Sequence, residues 1–152
     1  MATQGPGPAF LLAQIGGHAA ARFAERLAPL ALTPAHAGIL WNVSSQPDIT
    51  QRALAELLGS FPSRLSLVLD ELEEKGLIER RARPDDRRSY ALRLTRAGKA
   101  KLEQIARIGR EHQDDLCAAL DVAERSRLRE LLGKIATQQG LRPSVHPGFR
   151  KL

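Results

Sequence analysis

Residues 57–95, LLGSFPSRLSLVLDELEEKGLIERRARPDDRRSYALRLT, constrain this chain more than any other stretch. At about 100° per residue, Phe61, Leu65, Val68, Leu69 and Leu72 share one helical face, and Gly76 ends the helix. Segments 77–81 and 89–94 read as two strands joined by the charged loop ARPDDRR. In the second strand Tyr90, Leu92 and Leu94 alternate with Ala91 and Arg93, so one face packs down and the other stays wet. A shorter helix carrying Ala53, Leu54, Leu57 and Leu58 stops at Gly59, leaving the tight joint of a helix-turn-helix. Helix, turn, helix, strand, loop, strand predicts a winged helix-turn-helix, with a recognition helix over about 61–75 and a wing over about 82–88.

Charge is concentrated on the same stretch. Residues 79–101 hold nine basic side chains against three acidic ones, a net +6 that equals the excess of the whole chain. A charge run is ordinarily a solvated face. A neutral body with one positive element is better explained by a polyanionic partner, here double-stranded DNA. The candidates for the major groove are Ser60, Pro62, Ser63, Arg64, Ser66 and Leu67, in and before the first two turns of the helix. Glu71, Glu73 and Glu74 make its later turns acidic, so those turns should stay off the phosphates. Arg83, Arg87 and Arg88 crowd the loop, where an arginine can enter a narrow minor groove. Asp85 and Asp86 fit if carboxylates orient the arginines, either within the wing or from Asp70 to a wing or strand arginine.

The flanking segments are helical and apolar on one side, so the fold class is mainly α with a minor β hairpin. Residues 1–8 read as a mobile Gly/Pro tail. A first helix over 9–30 carries Leu11, Leu12, Ile15, Ala19, Phe23 and Leu27 at helical spacing, with Gly16 and Gly17 calling for a closely packed neighbour. Thr33-Pro34 starts the second helix and Thr50 caps the third, so the DNA-binding lobe spans 31–95. Residues 45–49 read as a loop between them. Thr95 caps a long helix to about residue 120, whose Leu102, Ile105, Gly109, His112, Leu116 and Ala119 approach a coiled-coil seam. Asp121 and Glu124 form a capping box for a last helix with Leu128, Leu131, Leu132 and Ile135 inward, so 96–139 supplies two more pairing helices. Residues 140–152 show no period and are expected to be unstructured or docked on a neighbour.

The order of elements, with DELEEKGLIER leading into RARPDDRRSYALRLTRAGK, resembles the MarR family of bacterial transcriptional regulators. The resemblance rests on the Asp-x-Arg of Asp86 and Arg88, the Leu-x-x-x-Gly-Leu-Ile-Glu-Arg of 72–80, and the Leu-Thr-x-x-Gly of 94–98. It covers about residues 9–139 and implies a homodimer whose first and last two helices form the dimerisation domain. Two winged lobes would then bind a pseudo-palindromic operator. It further implies that Arg88, beside Arg87, is the wing-tip residue and that Asp70 and Arg80 orient the wing by ion pairing. Phe61-Pro62 departs from the polar cap many relatives carry there.

Many members of that family release DNA on binding a small anionic or phenolic effector. His18, Arg22, His36 and Trp41 are candidates for such a crevice, although no spacing singles them out, and the preferred reading is an interface or core polar group for His18 and His36 and packing for Trp41. Cys117 excludes an intrachain disulfide, suits a reducing cytoplasm and reads as a small buried apolar residue. The N-terminus lacks a basic region before its apolar residues, and no apolar stretch approaches a bilayer span, so neither a secretory signal nor a membrane is expected. No catalytic motif and no cofactor motif stands out. Two alternatives stay open from sequence: a winged-helix interaction module without DNA affinity, and a metal-responsive regulator if folding gathers His18, His36, His112 or His146 with carboxylates.

Overall fold

The structure is a computed structural model that describes residues 5–151. The first four residues of the predicted N-terminal tail, and the last residue of the chain, lie outside the described residues. Helix α1 (Pro8–Leu27) is followed by a 3-10 turn (Ala28–Leu30), then α2 (Pro34–Ser45), α3 (Gln51–Leu58) and α4 (Pro62–Glu74). Strands β1 (Ile78–Ala82) and β2 (Tyr90–Leu94) form the hairpin, α5 (Arg96–Leu116) and α6 (Val122–Gln138) follow, and a second 3-10 turn (Pro147–Lys151) ends the description.

Side-chain caps set the starts of α2, α3, α5 and α6, while α1 and α4 begin on a proline without one. Thr33 accepts from the His36 amide while His36 Nδ1 accepts from the Thr33 amide, so a histidine completes the box in place of an acid. Thr50 accepts from Ala53, Thr95 from Gly98, and Asp121 shares a reciprocal box with Glu124. Gly59 and Gly76 sit at φ of +66° and +68°, a left-handed backbone that ends α3 and follows α4 at little steric cost. The α5 start is held more tightly. Thr95 donates to Leu77 O from its amide and to Gly76 O from its hydroxyl, and a Cβ on Gly98 would lie 1.9 Å from Leu77 O.

The hairpin pairs antiparallel from Ile78 opposite Leu94 to Ala82 opposite Tyr90. The segment read as a plain loop adds to it: Leu92 N–H donates to Ile49 O, Asp48 N–H to Leu92 O, and Thr50 bridges Ala91. The core lies inside the lobe, where Ile39, Leu40, Leu54, Leu58, Leu65, Leu69, Leu72, Ile78 and Leu92 are fully buried. Burial of each such aliphatic side chain contributes about 1.5–3 kcal/mol.

Four expectations need correction. Phe61 is 64% exposed because it is the extended N-cap residue of α4, where helical periodicity does not yet apply. Tyr90 is exposed at the hairpin end, beyond the reach of the core that buries Leu92. Helix α5 stops at Leu116, and Cys117, at its C-cap, is half-buried rather than enclosed. The C-terminal segment is ordered and docks on this chain's own lobe: Phe149 is buried against Gly38 of α2, and Arg142 donates to the Glu56 and Leu57 carbonyls ending α3.

The outer helices contrast with the lobe. Of α1 only Leu27 is buried, and the space around Gly16 and Gly17 is open. No residue of α6 is buried, and its Leu128, Leu131, Leu132 and Ile135 face outward.

Candidate nucleic-acid interface

The first turns of α4 present Pro62, Ser63, Arg64 and Leu67 outward, with Leu67 64% exposed on a helix whose other leucines are buried. The Arg64 guanidinium lies over the Phe61 ring, 6.0 Å from its centroid, so the exposed aromatic gives that arginine a platform. Ser60 sits differently: it is buried in the α3–α4 turn, and its hydroxyl donates to Phe61 O at 3.3 Å. Ser66 is half-buried, and its carbonyl accepts from Arg80 at 3.3 Å.

Arg80 joins helix to hairpin. Its Nη1 donates to Asp70 Oδ1 at 2.7 Å and to Glu73 Oε2 at 2.9 Å, while its own amide leans on Glu73 at 3.4 Å. The arginine side chain is only 14% exposed, whereas both acids are largely in water. Such a pair contributes modestly to stability, because solvent screens the carboxylates. Its directional effect is larger, since three acceptors on α4 set the angle at which β1 leaves.

The wing loop is closed by its own polar groups. Arg83 N–H donates to Ser89 O, Ser89 N–H to Asp86 O, and Arg88 N–H to Asp86 Oδ1 at 3.0 Å. Asp86 therefore acts on the backbone as an Asx turn rather than on a guanidinium. Asp85 takes Arg83 at 3.0 Å. Among the described residues no carboxylate or carbonyl holds the Arg87 or Arg88 guanidinium.

Between α4 and the wing lies an open cleft of about 1270 Å³, walled by Pro62, Ser66, Arg80, Arg83, Arg88 and Tyr90. The N-terminal end of α3 closes it with its cap residue Thr50 and with Gln51 and Arg52, two residues that no sequence pattern marks. The available signal was Thr50 itself, since a capped helix start leaves the next polar side chains at its mouth. The α3 start is anchored to the sheet by Asp48, whose carboxylate takes the Arg93 guanidinium, with Nη2 to Oδ2 at 2.6 Å. That hydrogen bond holds the Asp48 carboxyl below the usual carboxylate range and raises Arg93 in turn.

The four crevice candidates separate into different surroundings. His36 is buried; its Nδ1 accepts from the Thr33 amide, so Nε2 carries the proton donated to Glu71 at 2.8 Å. Trp41 is exposed on α2. His18 and Arg22 belong to a basic group on α1 that, with Arg26, faces His112 of α5, whose ring stacks 5.5 Å from Phe23. Burial first, then the charges of Arg26, Arg22 and His18, push the His112 pKa below its ordinary value. Among the described residues no group of three or more His, Cys, Asp or Glu side chains is arranged to hold a metal ion. Among the same residues no helix is long and apolar enough to cross a membrane.

The MarR family model matches residues 32–90, the span from before α2 to the start of β2. A protein of Thauera aromatica assigned as a transcriptional regulatory protein for the hcr operon is 35% identical over 113 residues, 74% of this chain and 68% of the relative. The chain belongs to the MarR family. Solved MarR-type structures superpose over most of its length. The transcriptional repressor CouR, bound to a 23-mer DNA duplex, is 32% identical with a TM-score of 0.77, covering 85% of this chain and 92% of that one. A mutant MarR from E. coli complexed with operator DNA is 29% identical with a TM-score of 0.73, covering 84% and 91%. As a MarR-family protein the chain is a transcriptional regulator with a DNA-binding winged helix, not an enzyme.

Proposed function

We propose that this MarR-family chain works as a cytoplasmic homodimeric repressor, each copy pressing α4 into a major groove and its wing into the adjacent minor groove of a pseudo-palindromic operator. The observation that carries the reading is the cleft between α4 and the wing, bordered by Arg83 and Arg88, with the Arg88 guanidinium held by no other group among the described residues. A cation fixed through its backbone but not through its charge is ready for a phosphate or a minor-groove edge. Ser63, Arg64, Ser66 and Leu67 would meet the bases, with Arg64 steadied by Phe61. Asp70, Arg80 and Asp86 would set the wing's angle, and Gln51 and Arg52 join as backbone contacts at the α3 start.

Residues 31–95 are the DNA lobe in this reading, and 9–30 with 96–139 are the dimerisation domain. The outward apolar faces of α1 and α6 support it, since a helix whose apolar stripe is left largely uncovered needs a partner surface. Control by a small anionic or phenolic effector would draw on Arg22 and Arg26 near His112, which pair with Glu25 and Asp115 in this structure, rather than on His36, whose ring is fully engaged. Selection of bound duplexes from a random library tests the proposal. Two half-sites spaced by about one helical turn are expected, and recovery of no enriched sequence would overturn it.

A further inference from the structure

The C-terminal segment lies on the reading head in a way that neither the winged helix nor dimerisation requires. Gly140 turns the chain at φ +66° directly after α6, and Arg142 then reaches the end of α3. Its Nη1 donates to the carbonyls of Glu56 and Leu57, the latter at 2.7 Å. Carbonyls at a helix C-terminus lack intrahelical donors, and a guanidinium there also meets the negative end of the helix dipole. Farther on, Phe149 is buried on α2, so close that a Cβ on Gly38 would sit 2.7 Å from its ring. The Arg150 stem passes over the α3–α4 turn, 3.5 Å from where a Cβ on Gly59 would stand. The segment thus spans α2, the end of α3 and the turn into α4, and it leads directly from α6.

We propose that residues 141–150 form a strap that positions the DNA-reading helices, with Arg142 and Phe149 as its positioning residues. The strap ties α6 to the reading head, as the Thr95–Gly98 junction ties the start of α5 to the hairpin. A displacement of α6 would reach the α3–α4 turn through Arg142, altering the angle at which α4 meets DNA. This assignment rests on the DNA reading above, but the strap itself can be tested without DNA.

Full-length protein, Arg142→Ala, Phe149→Ala and Gly38→Leu are compared. The last variant fills the Phe149 seat from the lobe side and leaves the tail sequence intact. Hydrogen exchange on free protein should show the Gly59 and Ser60 amides, which bond to Glu56 O and Ala55 O, exchanging roughly tenfold faster in all three. Affinity for a duplex recovered by selection should fall about tenfold, with the mass by sedimentation unchanged and the slope of log affinity against log salt unchanged. Unaltered exchange in Arg142→Ala and Gly38→Leu would overturn the strap. A salt slope reduced by about one would overturn positioning in favour of a direct phosphate contact by Arg142. Failure of the unaltered protein to bind any duplex would overturn the DNA reading, and the exchange result would still decide the strap.

Discussion

The lobe and the outer helices were built from the same aliphatic residue types and meet opposite fates in a single chain. Leu65, Leu69 and Leu72 of α4 are sealed within the lobe, while Leu128, Leu131 and Leu132 of α6 have comparable spacing and stay exposed. The lobe also pairs many of its polar groups internally, through capped helix starts, the Arg80 pair and the Asp48–Arg93 pair, although Arg80 Nε is buried without a partner among the described residues. Of the outer helices, α5 and α6 have capped starts and α1 has none, and together they give the core only Leu27 and Ile105. What differs is whether the covering surface lies in the same chain; in the dimeric reading proposed above, a second copy covers the outer helices.

The largest effects are expected from the same leucine truncation made in each region. Leu65→Ala should cost about 2–5 kcal/mol at every protein concentration in denaturant unfolding, because it opens a cavity in a closed core. Leu132→Ala should instead lower stability in a concentration-dependent way, and sedimentation should show a larger monomer fraction. Equal, concentration-independent losses would remove the distinction.

Gly98→Ala comes next in size. Its Cβ would collide with the Leu77 carbonyl, and the backbone at the α5–hairpin junction must shift, at a cost of about 1–3 kcal/mol in thermal unfolding. At the interface, Arg88→Ala should weaken binding to a selected duplex by about tenfold, a loss within the 1–3 kcal/mol of a specific contact, without moving the unfolding midpoint. Binding unchanged across several salt concentrations would dismiss the wing. The Arg80→Met variant should lose stability by less than about 1 kcal/mol, since its partners are solvated, yet lose more affinity than stability as the wing angle relaxes.

The smallest effect is the pH dependence of the α1–α5 contact. The His112 pKa is depressed in the folded chain, so the unfolded chain takes up a proton first as pH falls. Its contribution is fully present above about 6.5, the unfolded value, and is lost as pH falls through the folded value. His112→Gln should flatten the decline of the unfolding midpoint below neutrality; an unchanged slope would place the titration elsewhere.

Much of the architecture was legible because its signals are local. Thr33, Thr50, Thr95 and Asp121 each name a helix start through a hydroxyl or carboxylate in reach of the next turn's amide. Gly59 and Gly76 name the breaks. Periodicity failed where it was extended past an element's end, as with Phe61 at a cap and Tyr90 at the hairpin's open end. The pairing of Ile49 with Leu92 was hidden because it joins residues 43 apart with no alternating pattern on the short side. Gln51 and Arg52 were hidden for the same reason: only the fold brings the α3 start alongside the wing.

By itself the sequence determined the helix and strand order, the caps and the concentration of positive charge on the hairpin, since each follows from neighbours within a turn or two of chain. Tertiary structure alone decided which guanidiniums are engaged and which are held by nothing described: Arg80 by α4, Arg93 by Asp48, Arg142 by the end of α3, and Arg88 by its backbone alone. Arginines are alike in sequence, and an arginine's role is set by the acceptors within a few ångströms, most of which are contributed by distant parts of the chain.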